Sequence, residues 1–198
     1  MIRFIAAIAV AASVSACSNG VFQSQAFATG GVMPVTPSGA VVASRDYDVV
    51  AVNVTVPEEL DVSEGNNYYP FADIVWRGDP IGDRYAQIAA IFEEAASRGV
   101  LQSEGARPVI ADIEVVRFHG VTERTRYSVG GNYNIVFDLA ITDALSGEIV
   151  EAERRVAGNL PAPGGEAAVR LEQNGQTEKV RVLDFLTLLL QEEIVAAP

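Results

Sequence analysis

The sequence offers few side chains that could act as nucleophiles or general bases. Its one histidine, His119, stands near the end of a predicted strand, and its one cysteine, Cys17, lies close to the start of the chain. With a single histidine there is no H-E-x-x-H metal motif, and a Ser-His-Asp triad would have to be built on His119. The G-x-S-x-G elbow of hydrolases, the phosphate-binding P-loop and the Rossmann glycine pattern are also missing from the sequence. We therefore expect no catalytic residue, no metal ligand and no cofactor.

Two clusters of charged and aromatic residues are candidates for binding a partner. The first consists of Trp76, Arg77, Asp79 and Arg84, and it sets the one tryptophan beside an arginine fork, as interface hot spots do. A structural interpretation competes with this one: Asp79 caps a helix, Arg77 pairs with a nearby carboxylate and Trp76 fills the core. We prefer the structural interpretation and keep the binding role as a hypothesis.

The second cluster consists of Arg117, Arg124, Arg126 and Tyr127, along and around the tip of a predicted hairpin. In so acidic a chain these arginines could meet an anionic partner. A solvated hairpin end is the simpler interpretation, and we prefer it.

The start of the chain has the layout of a secretory signal. Arg3 supplies a positive charge, residues 4–14 are almost entirely apolar, and two small residues precede Cys17. The apolar stretch is shorter than the roughly 20 residues that a membrane-spanning helix needs.

Residues 14–17 (VSAC) resemble the lipobox of bacterial lipoproteins, which implies that Cys17 is lipidated and holds the mature chain at a membrane. Ser18 rather than Asp after the cysteine favours the outer membrane over the inner one. The alternative is an ordinary signal peptide followed by an unmodified cysteine.

Composition limits the partners and the organisation of the chain. The formal net charge of −12 argues against nucleic acid, because phosphate contacts need clustered cations. With no second cysteine, the fold depends on hydrophobic packing rather than on disulfides. We predict a lipoprotein signal peptide over residues 1–16, a flexible tether rich in small residues over 17–45, and one domain over 46–198.

The periodicity of apolar residues predicts an α+β fold. Alternation predicts strands over 47–56, 108–120, 132–142 and 148–157, and a shorter one within 72–76. In the strand predicted over 132–142, the side chains that should point inward are Tyr133, Ile135, Phe137, Leu139 and Ile141. In the strand predicted over 148–157, they are Val150, Ala152 and Val156. One helix should begin at Asp79-Pro80 and end at Arg98-Gly99, and a second should cover residues 177–196. A short helical piece is expected near 166–171. We predict a mainly antiparallel sheet of about four to five strands with two helices packed on one face.

The segments 72–80 (ADIVWRGDP) and 82–87 (GDRYAQ) resemble a family of alphaproteobacterial lipoproteins that has no assigned activity. The resemblance implies a fold but no catalytic residue. A looser similarity, architectural only, is to auxiliary lipoproteins of lipid-transporting ABC systems.

These observations predict a lipid-anchored periplasmic protein that binds rather than catalyses. It would be an accessory subunit of an envelope complex, such as one for lipid transport or outer-membrane assembly. The partners expected are the membrane, through Cys17, and another envelope protein. An alternative is a carrier of a small apolar ligand, such as a lipid, held between the sheet and the last helix. An envelope hydrolase is the least favoured class.

Overall fold

A computed structural model of the protein describes residues 45–195. The predicted signal peptide, Cys17 and almost all of the predicted tether lie outside the described residues. The strands are β1 (Tyr47–Thr55), β2 (Ile74–Val75), β3 (Arg107–His119), β4 (Gly131–Asp143) and β5 (Ile149–Ala162). The helices are α1 (Arg84–Gly99), α2 (Glu123–Arg126), α3 (Glu166–Gln173) and α4 (Glu178–Leu190), and α4 runs on into a π-helical turn, Gln191–Val195. None of the helices in this part of the chain is long and apolar enough to cross a membrane.

The strands form one five-stranded sheet in the order β1-β3-β4-β5. The crossover through α1 makes β1 parallel to β3, and the pairs β3–β4 and β4–β5 are antiparallel. The short strand β2 also pairs with β3, with Ile74 opposite Phe118, whereas Tyr47 of β1 lies opposite Arg107. Strands β1 and β2 therefore lie one after the other along the same side of β3. The predicted α+β class with a mainly antiparallel sheet is confirmed.

One face of the sheet is buried under α1 and α4, as predicted. The five side chains expected to point inward from β4 are all 0–1% exposed. Phe137 on this strand packs edge-on against Phe92 of α1, with ring centroids 5.5 Å apart. The core is thus built by the alternating face of the sheet and the apolar stripes of two helices.

The interface between the sheet and α4 is closed. Val182, Leu186 and Leu190 on α4 are fully buried. A Cβ atom added at Gly158 of β5 would lie only 2.8 Å from side-chain carbons of Phe185 and Leu189, so helix and strand are in direct contact there. This contact leaves no room for an apolar ligand between β5 and α4 at Gly158, which disfavours the carrier hypothesis.

Three local predictions were wrong. Helix α1 begins four residues after the predicted start, because Asp83 rather than Asp79 is the N-cap and accepts a hydrogen bond from the Ala86 amide at 3.1 Å. Strand β5 runs on to Ala162 instead of ending at 157; its Pro161 is tolerated because β5 is an edge strand. Ala152 is exposed, because the register with β4 shifts at this point and interrupts the alternation.

The predicted hairpin between β3 and β4 contains a short helix. Its residues form α2, capped by the Thr122 hydroxyl, which accepts from the Thr125 amide at 3.3 Å. The last helix starts as predicted, with Thr177 as N-cap, and the short helical piece near 166–171 is present as α3.

Candidate partner-binding surface

The two clusters singled out in the sequence meet at one end of the sheet, the end at which β3 finishes and β4 begins. Arg77 of the first cluster contacts Glu123 of α2, with Nε and Oε2 3.3 Å apart. Glu64 joins both arginines of the first cluster: its oxygens lie 3.2 Å from Arg77 Nη1 and 2.6 Å from Arg84 Nε. The two clusters therefore lie at the same end of the domain, where the Arg77–Glu123 pair connects the first cluster to the helix that carries Arg124 and Arg126.

Arg84 is a buried arginine of the first cluster. It is 3% exposed and donates two hydrogen bonds to Glu64, at 2.6 and 3.1 Å. Its remaining Nη1 donates to the carbonyl oxygens of Asp79 and Pro80, each at 3.2 Å, and to Gln87 Oε1 at 2.7 Å. The hydrogen bonds from Arg84 hold the pKa of Glu64 below its usual value. All these donors point inward, so Arg84 fastens the chain before α1 and offers nothing to a partner.

Trp76 and Asp79 are also engaged inside the protein. Trp76 is fully buried and packs edge-on against Phe118, with ring centroids 5.4 Å apart. Its indole Nε1 donates to Asp79 Oδ2 at 2.8 Å, and Lys179 at the start of α4 donates to Asp79 Oδ1 at 2.8 Å. Burial opposes ionisation of Asp79, but these two donors outweigh it and lower the pKa of the carboxyl. Asp79 thus ties the segment before α1 to α4.

Helix α2 holds a loop that sequence analysis overlooked. The Thr122 hydroxyl donates to the Asn67 carbonyl at 2.8 Å, and the Thr125 hydroxyl donates to the Tyr68 carbonyl at 2.9 Å. The Asn66 side chain accepts from the Arg124 amide at 2.8 Å. Residues 66–73, which we call the aromatic loop, are therefore fastened at their start to α2 and its N-cap, through the carbonyls of Asn67 and Tyr68 and the side chain of Asn66.

The aromatic loop exposes large side chains to solvent. Phe71 is fully exposed and Tyr69 is 81% exposed, and the guanidinium of Arg124 lies 4.7 Å from the centre of the Tyr68 ring. Tyr127, the C-cap of α2, is half exposed. Clustered exposed aromatic side chains on a fixed backbone are typical of binding surfaces. Three aromatic residues among four consecutive loop residues, 68–71, were the sequence signal that could have revealed this surface.

A groove lies between the aromatic loop and the end of β3, and we call it the β3 groove. Its volume is about 490 Å³. The residues that matter for its chemistry are Asp61, Tyr69, Phe71, Asp73, Arg117 and His119. A second open groove, of about 510 Å³, lies beside α3 and includes Tyr127 and Val169.

His119 lines the β3 groove as a neutral imidazole. Burial lowers its pKa, and the nearby Arg117 guanidinium adds to this effect. Its Nδ1 lies 2.9 Å from the Ala72 carbonyl oxygen, which can only accept, and 3.0 Å from Arg117 Nη2, which can only donate, so either tautomer satisfies one of these contacts and not both. Its two hydrogen-bonding neighbours are therefore a backbone carbonyl and an arginine, not a serine or threonine hydroxyl. In the part of the chain that the structure describes, no group of three His, Cys, Asp or Glu side chains is placed to hold a metal ion.

Arg126 of the second cluster is also turned inward. It pairs with Glu172 of α3 and with Glu178 of α4, where Nη1 and Oε2 are 2.8 Å apart. Glu178 is 4% exposed, and neither of its carboxylate oxygens receives a well-directed hydrogen bond from the described residues. Burial raises the pKa of Glu178 above its usual value. Of these candidates, Arg124 and Tyr127 therefore remain exposed and Arg117 lines the β3 groove, whereas the others hold this end of the domain together.

Comparison with solved structures finds distant likenesses. A protein of Xanthomonas campestris that matches the family model DUF330 has 15% identity and a TM-score of 0.48, over 77% of this chain and 85% of that one. A candidate lipoprotein of Caulobacter crescentus has 16% identity and a TM-score of 0.35, over 76% and 88%. PelC of Paraburkholderia phytofirmans, crystallised as a dodecamer, has 12% identity and a TM-score of 0.38, over 77% and 90%. At these values the likenesses carry no information on function.

No curated protein matches the sequence significantly. A family model does match, over residues 47–198, and this range includes every described strand and helix. The chain therefore belongs to DUF6778, a family of unknown function.

Proposed function

We propose that this chain is a lipid-anchored accessory protein of the bacterial cell envelope, which acts by binding another envelope protein and not by catalysis. The observation that carries the proposal is the aromatic loop, in which Tyr69 and Phe71 are exposed while the backbone is fastened to α2. The complex it serves would move lipid or build the outer membrane.

The anchor is supported by the sequence. The VSAC segment that ends at Cys17 follows a basic residue and a short apolar stretch, as in lipoprotein signals. Each acyl methylene buried in a bilayer contributes about 0.8 kcal/mol, so several chains on one cysteine hold a protein at a membrane. The residue after the cysteine, Ser18, favours the outer membrane.

Binding through the aromatic loop is favoured energetically. Burying a large apolar side chain contributes about 1.5–3 kcal/mol, and Tyr69 and Phe71 both have nearly all their surface available. Because the loop backbone is already fixed, a partner would order little more than the side chains on association. The hydrogen-bonding neighbours of His119, a backbone carbonyl and an arginine, support a role other than catalysis in this proposal.

The anchor is tested by labelling cells with radioactive or clickable palmitate. We expect the wild-type chain to be labelled and to float with membranes, and the Cys17→Ser variant to lose both properties. An unlabelled wild-type chain released to the medium would contradict the anchor.

Binding is tested in intact cells with a photo-crosslinking amino acid. We place it at Tyr69 and, in a second strain, at Val129, which is 68% exposed at the same end of the domain. The control position is Leu145, which is 85% exposed in the β4–β5 turn at the opposite end. A discrete protein adduct from Tyr69 or Val129, but not from Leu145, supports binding through this end. Adducts from neither position would refute it.

A further inference from the structure

We infer that the β3 groove binds an extended segment of the partner protein in which an arginine or lysine stands next to an apolar residue. The inference rests on the proposed binding function and adds to it the location of the site and the chemistry of the occupant. Three properties of the groove support it: its preformed walls, its charge and its position in the domain.

The walls of the groove are fixed before any partner arrives. The Asp61 carbonyl accepts from the amides of Asp73 and Ile74, both at 2.9 Å, and Asp73 Oδ2 accepts from the Asp61 amide at 3.1 Å. The Phe118 amide on β3 donates to the Asp73 carbonyl at 2.9 Å. The aromatic loop is fastened to α2 on its other side. A groove of about 490 Å³ with such walls accommodates a few side chains without rearrangement.

The charge of the surrounding surface favours a cationic occupant. Residues 57–84 include seven acidic residues but two basic ones, Arg77 and Arg84. The side chains of these arginines are 6% and 2% exposed and are used in internal ion pairs. The surface of this segment is therefore negative.

The net charge of the residues that line the groove is also negative. Arg117 lies 3.7 Å from Asp73 and partly neutralises it, and His119 is neutral because its pKa is lowered. The carboxylate of Asp61 is exposed and has no cationic partner among the described residues. The aromatic faces of Tyr69 and Phe71 attract a cation and also an apolar side chain. An arginine or lysine beside an apolar residue satisfies both features.

The position of the groove favours a protein over the bilayer as the occupant. The described chain begins beside Tyr47, which lies opposite Arg107 at the start of β3, whereas the groove lies at His119, the end of this 13-residue strand. At about 3.3 Å per residue these points are roughly 40 Å apart. A tether that joins the domain at its far end does not itself press the groove against a membrane, and the acidic surface is repelled by anionic lipid.

The test places the photo-crosslinking amino acid at Phe71 of the full-length chain in cells. We expect a discrete protein adduct whose crosslinked peptide, identified by mass spectrometry, contains an arginine or lysine adjacent to an apolar residue. The Asp61→Lys variant should reduce the adduct yield about tenfold or more, since it places like charges opposite each other. The matched control is Glu104→Lys, an exposed acidic residue at the other end of β3, which should leave the yield within about twofold. Replacing the identified basic residue of the partner by glutamate should restore the yield with Asp61→Lys.

Other outcomes overturn the inference. They are adducts with lipid, an adduct of twice the mass of this chain, a crosslinked peptide that is acidic, or a yield that does not respond to Asp61→Lys. An adduct from Val129 without one from Phe71 refutes the groove but leaves the proposed binding function standing. Absence of adducts from both positions and from Tyr69 refutes both proposals.

Discussion

Arg126 and Glu178 form an ion pair that water hardly reaches, with side chains 13% and 5% exposed. The pair connects α2, which holds the aromatic loop, to the start of α4. Its two partners are not equivalent, because Arg126 has a second carboxylate, Glu172, whereas Glu178 has no other cation and no well-directed hydrogen bond among the described residues. We therefore expect the two single substitutions to differ sharply.

Replacing Arg126 by methionine leaves the buried Glu178 carboxylate without a cation, beside the buried hydroxyl of Tyr133. Losing one partner of a buried pair costs about 3–5 kcal/mol, and we expect about 3 kcal/mol here because Glu178 can take up a proton instead. At about 2–4 °C per kcal/mol, the midpoint of thermal unfolding should fall by roughly 6–12 °C. Glu178→Gln removes the buried charge while Arg126 keeps Glu172, so its free energy of unfolding should lie within about 1 kcal/mol of wild type or above it.

Urea unfolding of the two single variants and of the double variant measures these differences. In the double variant, Glu178→Gln should recover at least about 2 kcal/mol of the stability that Arg126→Met removes, because no buried charge is left unpaired.

The pH dependence provides a second test. Since burial raises the pKa of Glu178, the folded state binds its proton more tightly than the unfolded state, whose pKa is near 4.5. The penalty in Arg126→Met should therefore shrink as the pH falls from 7 towards 4.5. Equal losses from the two single substitutions, or a pH-independent loss in Arg126→Met, would refute this reasoning.

Three further predictions concern other contacts of the fold. Arg84→Ala should lower the free energy of unfolding in urea by about 2–4 kcal/mol, because Glu64 and two carbonyls lose their donor. The control, Arg98→Ala, removes an exposed arginine and should cost no more than about 0.5 kcal/mol. Similar losses from the two substitutions would contradict the role of Arg84. Gly158→Ala should lower the free energy of unfolding by about 1–3 kcal/mol, because the added Cβ would lie 2.8 Å from side chains of α4. A neutral effect in the same assay would show that the interface between β5 and α4 has spare room. Because the pKa of His119 is lowered on folding, the wild-type protein should lose stability as the pH falls below 6.5. The His119→Asn variant should lose less stability over the same pH range. Identical pH profiles of stability for the two proteins would disprove this prediction.

The existence of the strands was predictable because apolar alternation is a local pattern, although the end of β5 was not. Alternation over residues 132–142 correctly identified the buried face of β4, and the strand predicted over 47–56 differs from β1 by one residue. The start of α1 was not predictable, because Asp79-Pro80 and Asp83 are both plausible helix starts. Tertiary contacts decide between them, since Asp79 is occupied by Trp76 and by Lys179, which is 100 residues away in sequence.

The candidate site was predicted in part. Sequence analysis found most of the charged residues at this end of the domain but divided them into two clusters, because their connection through Glu64 and Glu123 depends on the fold. The aromatic loop was overlooked because its residues show neither helical nor strand periodicity. Its importance comes from exposure and from the hydrogen bonds of α2, neither of which a sequence pattern reports.

The central claim is that this end of the domain binds a protein partner. The most direct measurement is affinity capture of the tagged, full-length chain from membranes, comparing Tyr69→Ser/Phe71→Ser with the control Leu145→Ser/Ile149→Ser. All four side chains are at least 72% exposed, so neither double substitution should affect folding. We predict that the partner protein recovered with wild type is lost from the first variant and kept by the second. Equal recovery with both variants would contradict the claim.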